Sequence, residues 1–208
     1  MARSASVVKL SGTRQRLVEA AHALIWANSY AHVSVDDICR EAGVQKGSFY
    51  HFFPTKADLA AAALEDHWQE VKPKFDGIFT RNKTPQAQLK ALCAEILSKQ
   101  KEAMRATGMV CGCPYATVGA ELSGNNETMR ALTQEMNARF IGYFEKLLKN
   151  AAAAKLIPST GIKQRAQEIH TYAIGAMLQA RLTNSLDSVG KSLEHALFRI
   201  SGLKPSSK

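Results

Sequence analysis

Residues 34–59 read SVDDICREAGVQKGSFYHFFPTKADL, and this stretch decides the fold. It opens like one helix and then interrupts itself. Ser34 is a good N-cap, and Asp36 and Asp37 fall in the first turn, near the positive end of the helix dipole. The helix expected there runs to about Ala42, where Gly43 suits a left-handed terminating turn. A second short helix is expected from about Gln45 to Phe52; Pro54 stops it and Thr55 can cap the next. Two short helices around a glycine turn, preceded by a helix that closes a small core, are what a three-helix DNA-reading module needs, with the helix-turn-helix at about 34–52.

The residue types divide accordingly. Ile38, Val44 and Phe49 can seal the contact between the two short helices, and Phe52 and Phe53 read as core rings that fill so small a module. Gln45, Lys46, Ser48, Tyr50 and His51 remain to face a groove, and Gly47 and Ser48 are small enough to let backbone approach DNA. A Gln amide pairs with an adenine edge, Lys brings charge to phosphate or guanine, and Ser, Tyr and His donate to phosphate oxygens. Thr55 and Lys56 sit where a helix start attracts an anion. Ser34, the N-terminal arm, Thr13 and Arg14 complete the expected phosphate contacts.

These residues resemble the DNA-binding signature of the TetR/AcrR family of bacterial transcriptional regulators. The likeness lies in the acidic second helix, then AGVQKGSFYHFF at 42–53 and KADL at 56–59, and covers about residues 13–60. It implies a three-helix DNA-binding domain, 1–57, followed by a six-helix ligand-binding and dimerisation domain, 58–208. It further implies a homodimer on a palindromic double-stranded operator and a small-molecule effector that releases a repressor. Lys46, Tyr50, His51 and Lys56 match positions that touch phosphates, whereas Gln45 and Ser48 match positions that face bases. Gln45 stands where the family often has Ser or Pro, a departure that bears on base preference.

Outward from this stretch, helical periodicity dominates and no alternating strand appears, so the chain reads as all-α. A first helix is expected after Ser11 or Thr13, with Leu17, Ala21, Leu24 and Asn28 along one face. A fourth follows Thr55, with Leu59, Ala63, Trp68, Val71 and Phe75 on its face and Pro73 expected to kink or divide it. Further helices are expected at about 85–105, 114–123, 126–154, 160–186 and 188–201, separated by breaks such as SGNNET and IPSTG.

In the larger part, Trp68, Phe75, Phe79, Met104, Met109, Tyr115, Tyr143, Phe144, Tyr172 and Met177 are candidate pocket lining, with Glu121, Gln134 and Gln179 as polar candidates. At helical spacing such side chains also make ordinary core. Small and apolar faces, Ala166, Ile169, Ala173, Ala176 and Ala180 on one late helix and Leu193, Ala196, Leu197 and Ile200 on the last, permit close helix approach. They point to a four-helix dimer interface, with packing inside one chain as the alternative. Cys111 and Cys113 flank a glycine just before Pro114, where a helix dipole would lower a thiol pKa. A redox or electrophile sensor built on them, with Cys93 as a third candidate thiol, stands beside the small-molecule reading.

Bulk properties constrain less. The 208 residues carry a net charge of +9 with a pI near 9.5, compatible with an anionic partner. Lys and Arg outnumber Asp and Glu by only seven to five over residues 1–60, so the argument for DNA rests on motif geometry. No apolar run reaches a signal peptide or a membrane span, which points to a cytoplasmic protein whose four cysteines are reduced thiols. His22, His32, His67, His170 and His195 have no mutual spacing that suggests a metal site, and neither metal nor cofactor is expected. Without a nucleophile elbow, a zinc-protease motif or a phosphate-cradling glycine loop, an all-α enzyme finds little support; a non-specific DNA-coating protein would need only the positive charge.

Overall fold

The computed structural model describes the backbone of residues 2–205 and the side chains of residues 12–205. Among these residues the chain is helical throughout: α1 (Ala2–Ala27), α2 (Val35–Ala42), α3 (Lys46–Phe52), α4 (Lys56–Ile78), α5 (Pro85–Thr107), α6 (Pro114–Leu122), α7 (Glu127–Ala153), α8 (Ile162–Thr183) and α9 (Lys191–Ser201), with a 3-10 turn at Asp187–Val189. The first helix starts at Ala2 rather than after Ser11, since residues 2–10 hold no proline or glycine to break it. Pro73 does not divide α4, which continues to Ile78. The missing hydrogen bond is a local cost of about 3 kcal/mol, offset by apolar anchors on both sides of it, Leu64 and Trp68 before and Ile78 and Phe79 after.

The chain forms two compact units: residues 1–71 with 117–132, and residues 72–116 with 133–208. Position 57 lies in the first turn of a continuous helix, and the start of α4 supplies Leu59, Ala60, Ala63 and Leu64 to the first unit's core. That core is completed by Leu17, Val18, Ala21 and Ile25 of α1, Ile38, Cys39 and Ala42 of α2, and Phe49 and Phe53 around α3. Leu24 is only half-buried and Asn28 is exposed, so the buried stripe of α1 is rotated from the expected face toward Val18 and Ile25.

In the second unit Leu89, Leu92 and Cys93 of α5, Phe144, Leu147, Leu148 and Ala151 of α7, and the inner faces of α8 and α9 make one apolar cluster. The connection from α5 to α6 is held by long-range polar contacts. Gly112, at φ 75°, donates its N–H to Gln100 Oε1 (2.9 Å) and accepts from Gln100 Nε2 (3.1 Å), both buried. Arg181 Nη1 donates to the Cys111 carbonyl at 2.7 Å, and Asn184 Oδ1 accepts from the Val110 N–H at 2.9 Å.

Candidate nucleic-acid interface

The turn between α2 and α3 is built by its sequence. Ser34 Oγ accepts from the Asp37 N–H (3.1 Å) while Asp37 Oδ2 accepts from the Ser34 N–H (3.0 Å), a reciprocal capping box that starts α2. The Ser34 hydroxyl, which donates to the Asp37 carboxylate, then the Ser34 N–H and the Arg40 guanidinium, hold the Asp37 carboxyl down to about 2. At the other end Gly43 takes the left-handed conformation (φ 62°), and the N–H groups of Gly43 and Val44 return to the carbonyls of Arg40 and Cys39. A residue with a Cβ is strained at that angle, which is why glycine stands there.

Phe49 is fully buried and Phe53 nearly so, which fixes the rotation of α3. Gln45, Lys46, Gly47, Tyr50 and His51 are thereby left exposed and Ser48 half-buried; Tyr50 is 53% exposed. A Cβ at Gly47 would meet nothing within 4 Å, so that side of the helix is open. Lys46 Nζ pairs with Asp36 at 2.9 Å across the turn. Both side chains are exposed, and such a pair is weak enough for a phosphate to replace the carboxylate. Arg14 lies over the Phe53 ring at 5.2 Å, which places a guanidinium beside α3, and Thr13 Oγ1 accepts from Arg16. The side chains of the N-terminal arm up to residue 11 lie outside the described residues.

Three expected phosphate ligands are otherwise engaged. Lys56 turns inward: its Nζ donates to the carbonyls of Tyr30 and Val33, each at 2.8 Å, and sits 3.9 Å from the Tyr30 ring centre. Burial lowers its pKa, against a raising influence from Glu121. Thr55 forms a second capping box, with its hydroxyl and N–H on Asp58. The hydrogen of Ser34 Oγ is given to Asp37 at 2.6 Å. Helix starts need their first N–H groups satisfied, and here carboxylates three residues on do it.

The candidate pocket residues do not form one set. Phe75, Tyr143, Phe144 and Tyr115 share an aromatic cluster with Phe79, Phe140 and His170, with ring centres 5.1–6.2 Å apart. His170 Nε2 lies 3.0 Å from Asn137 Oδ1, and Tyr143 donates to Asp76 at 2.6 Å. Phe140, Asn137 and His170 were not singled out by sequence; only the spacing of Phe140 from Phe144 and Tyr143 hinted at them. Met104 and Met177 are half-buried beside the apolar cluster, Met109 and Tyr172 are exposed, and Gln134 and Gln179 are exposed too. Trp68 and Glu121 belong to the first unit, where Glu121 accepts hydrogen bonds from the N–H groups of Tyr30 and Ala31.

Of the expected dimer contacts, Ile169, Ala173, Ala176, Ala180, Leu193, Ala196 and Leu197 are buried within the single chain, and Ile200 is half-buried. Small-residue spacing marks close helix packing without telling one chain from two. The outer side of α8 instead carries Tyr172, Leu178 and Leu182, exposed by 39%, 42% and 72%. Among the thiols, burial pushes Cys93 up to about 12 and also raises Cys111 and Cys113. For Cys113 desolvation outweighs the N–H groups of Tyr115 and Ala116 on its sulfur, so the expected dipole-lowered thiol does not form. Among the described residues no His, Cys, Asp or Glu cluster could hold a metal, and no helix is long and apolar enough to cross a membrane.

Known proteins carry the same architecture. Residues 17–63 match the family described as bacterial regulatory proteins, tetR family, and residues 85–196 match the tetracyclin repressor-like C-terminal domain. An uncharacterized HTH-type transcriptional regulator of Lactococcus lactis is 28% identical over 179 residues, 85% of this chain and 84% of its own. The crystal structure of Escherichia coli NemR in its reduced form superposes with a TM-score of 0.76 at 24% identity, covering 93% of this chain and 99% of that one. A regulator from Agrobacterium tumefaciens gives 0.80 at 21% identity, covering 91% and 98%. The chain belongs to the tetR family and is a DNA-binding transcriptional regulator.

Proposed function

We propose that the protein is a homodimeric, sequence-specific repressor that binds a palindromic operator through the outer face of α3 and leaves it when a small molecule binds the second unit. The observation that carries this is the division of α3: Phe49 buried, with Gln45, Lys46, Gly47, Tyr50 and His51 exposed together. Gln45 and Ser48 are assigned to base edges, Lys46, Tyr50, His51 and Arg14 to phosphates. Lys56, Thr55 and Ser34 act behind them, fixing the module's geometry. A second copy is supported by the exposed side chains of Tyr172, Leu178 and Leu182 on α8, of which Tyr172 also lines an open groove with Gln164, Gln167, Glu168, Thr171 and Ile200. Two reading heads then meet half-sites about 34–36 Å apart or a multiple of that.

The effector reading is supported by the composition of the buried aromatic cluster around His170, mostly apolar with a few polar groups such as Asn137, which is the usual make-up of a ligand site. The effector must bind the DNA-free conformation better, since equal affinity for both conformations shifts nothing. The test is selection from a pool of random duplexes, followed by competition with unselected DNA and by sedimentation. The reading predicts a palindrome preferred by roughly 10³-fold or more, bound by two copies. Equal affinity for all duplexes, or binding by single copies, contradicts it.

A further inference from the structure

The loop between α1 and α2, residues 28–33, has little regular hydrogen bonding of its own, and two side chains of opposite charge serve its backbone. Glu121, on the last turn of α6 and within the same compact unit, accepts from Tyr30 N–H through Oε1 (3.3 Å) and from Ala31 N–H through Oε2 (2.9 Å). Lys56 takes the carbonyls of Tyr30 and Val33 and stacks on the Tyr30 ring. The loop is therefore gripped by its donors from α6 and by its acceptors from α4. Its far end leads directly into the two short helices: Val33 is buried, Ser34 caps α2, and α2 packs on α3, with Ile38 and Phe49 fully buried.

We propose that Glu121 is a positioning residue for DNA reading: its carboxylate latches the α1–α2 loop to α6 and so sets the direction in which α2 starts and α3 is presented. The inference rests on the assignment of α3 as the reading helix. Glu121 is exposed, so water can replace the two amides at modest cost and the latch is releasable. It is also sensitive to position. A shift of α6 by one residue's rise, about 1.5 Å, carries a 2.9 Å bond beyond hydrogen-bond range.

The test uses the full chain with E121A and E121Q, amide hydrogen exchange, and a duplex that the unaltered protein selects from a random pool. E121A is expected to speed exchange at Tyr30 and Ala31 while leaving the midpoint of unfolding nearly in place. It should weaken binding to the duplex by about tenfold, ~1.4 kcal/mol, with the salt slope unchanged because no phosphate contact is lost. E121Q keeps one acceptor oxygen and should fall between the two. Unchanged exchange at both amides overturns the proposal. So does E121A binding as tightly as the parent or more tightly, the latter marking Glu121 as a charge that merely repels phosphate. If the unaltered protein selects no duplex, the assignment of α3 fails instead, and exchange at Tyr30 and Ala31 alone decides the latch.

Discussion

Acidification should destabilise the protein, and the buried ring of His170 should carry a distinct part of that loss. Its ring is 9% exposed, stacks on Phe140 at 5.8 Å and 18°, and has Phe144 at 6.2 Å. Burial in this setting lowers its pKa from 6.5 to about 4. The folded state thus prefers the neutral ring more strongly than the unfolded chain does. The corresponding stability is fully present above about pH 6.5 and is lost as pH falls through about 4. At 1.36 kcal/mol per unit, that displacement amounts to roughly 3 kcal/mol, a large share of the 5–15 kcal/mol typical of a folded protein. Glutamine can still reach Asn137 but cannot take up a proton, so His170→Gln isolates the effect from the carboxylates that titrate in the same range. Urea unfolding at pH 7, 5.5 and 4 should show the parent losing roughly 3 kcal/mol more than the variant, with NMR placing the His170 titration near 4. A His170 that titrates near 6.5, with parallel pH profiles for the two proteins, would refute the reasoning.

Other outcomes rest on single contacts. Ser34→Ala removes one half of the capping box and should cost about 1 kcal/mol in thermal unfolding; a neutral result would mean that Asp37 caps α2 alone. Gln100→Leu leaves the buried N–H and carbonyl of Gly112 without the amide that serves them, and should cost about 2 kcal/mol or more in urea unfolding. At pH 7 Cys93 should alkylate at least about a thousandfold more slowly than an ordinary thiol, given a pKa pushed up to about 12; mass spectrometry after iodoacetamide treatment reads this directly.

The DNA-reading end was legible because its signals are local. Ser34 and Gly43 mark helix ends within a few residues of their partners, and the alternation of Phe49 with Lys46, Tyr50 and His51 sorts inside from outside over two turns. Lys56 shows the limit even there. Its position at a helix start is what an anion ligand needs, but its partners are carbonyls 23 and 26 residues away, which no local pattern reveals. The same holds for Gln100, Arg181 and Asn184 on the Gly108–Cys113 loop and for Glu121 on Tyr30 and Ala31, where chain separation reaches 91 residues. The small residues of α8 and α9 announce close helix packing in the sequence, and within this chain they are buried against its own core. Periodicity specifies that a face is covered, whereas the identity of the cover is a property of the folded chain.

The central claim, that the outer face of α3 reads base sequence, is tested most directly by repeating duplex selection and salt titration with Gln45→Ala and Lys46→Ala beside the parent. The account predicts that Gln45→Ala changes which bases are preferred in each half-site. Lys46→Ala should keep the preference, weaken all duplexes alike and reduce the salt slope by about 1. Identical selected sequences from all three proteins, with equal losses of affinity in both variants, would contradict it.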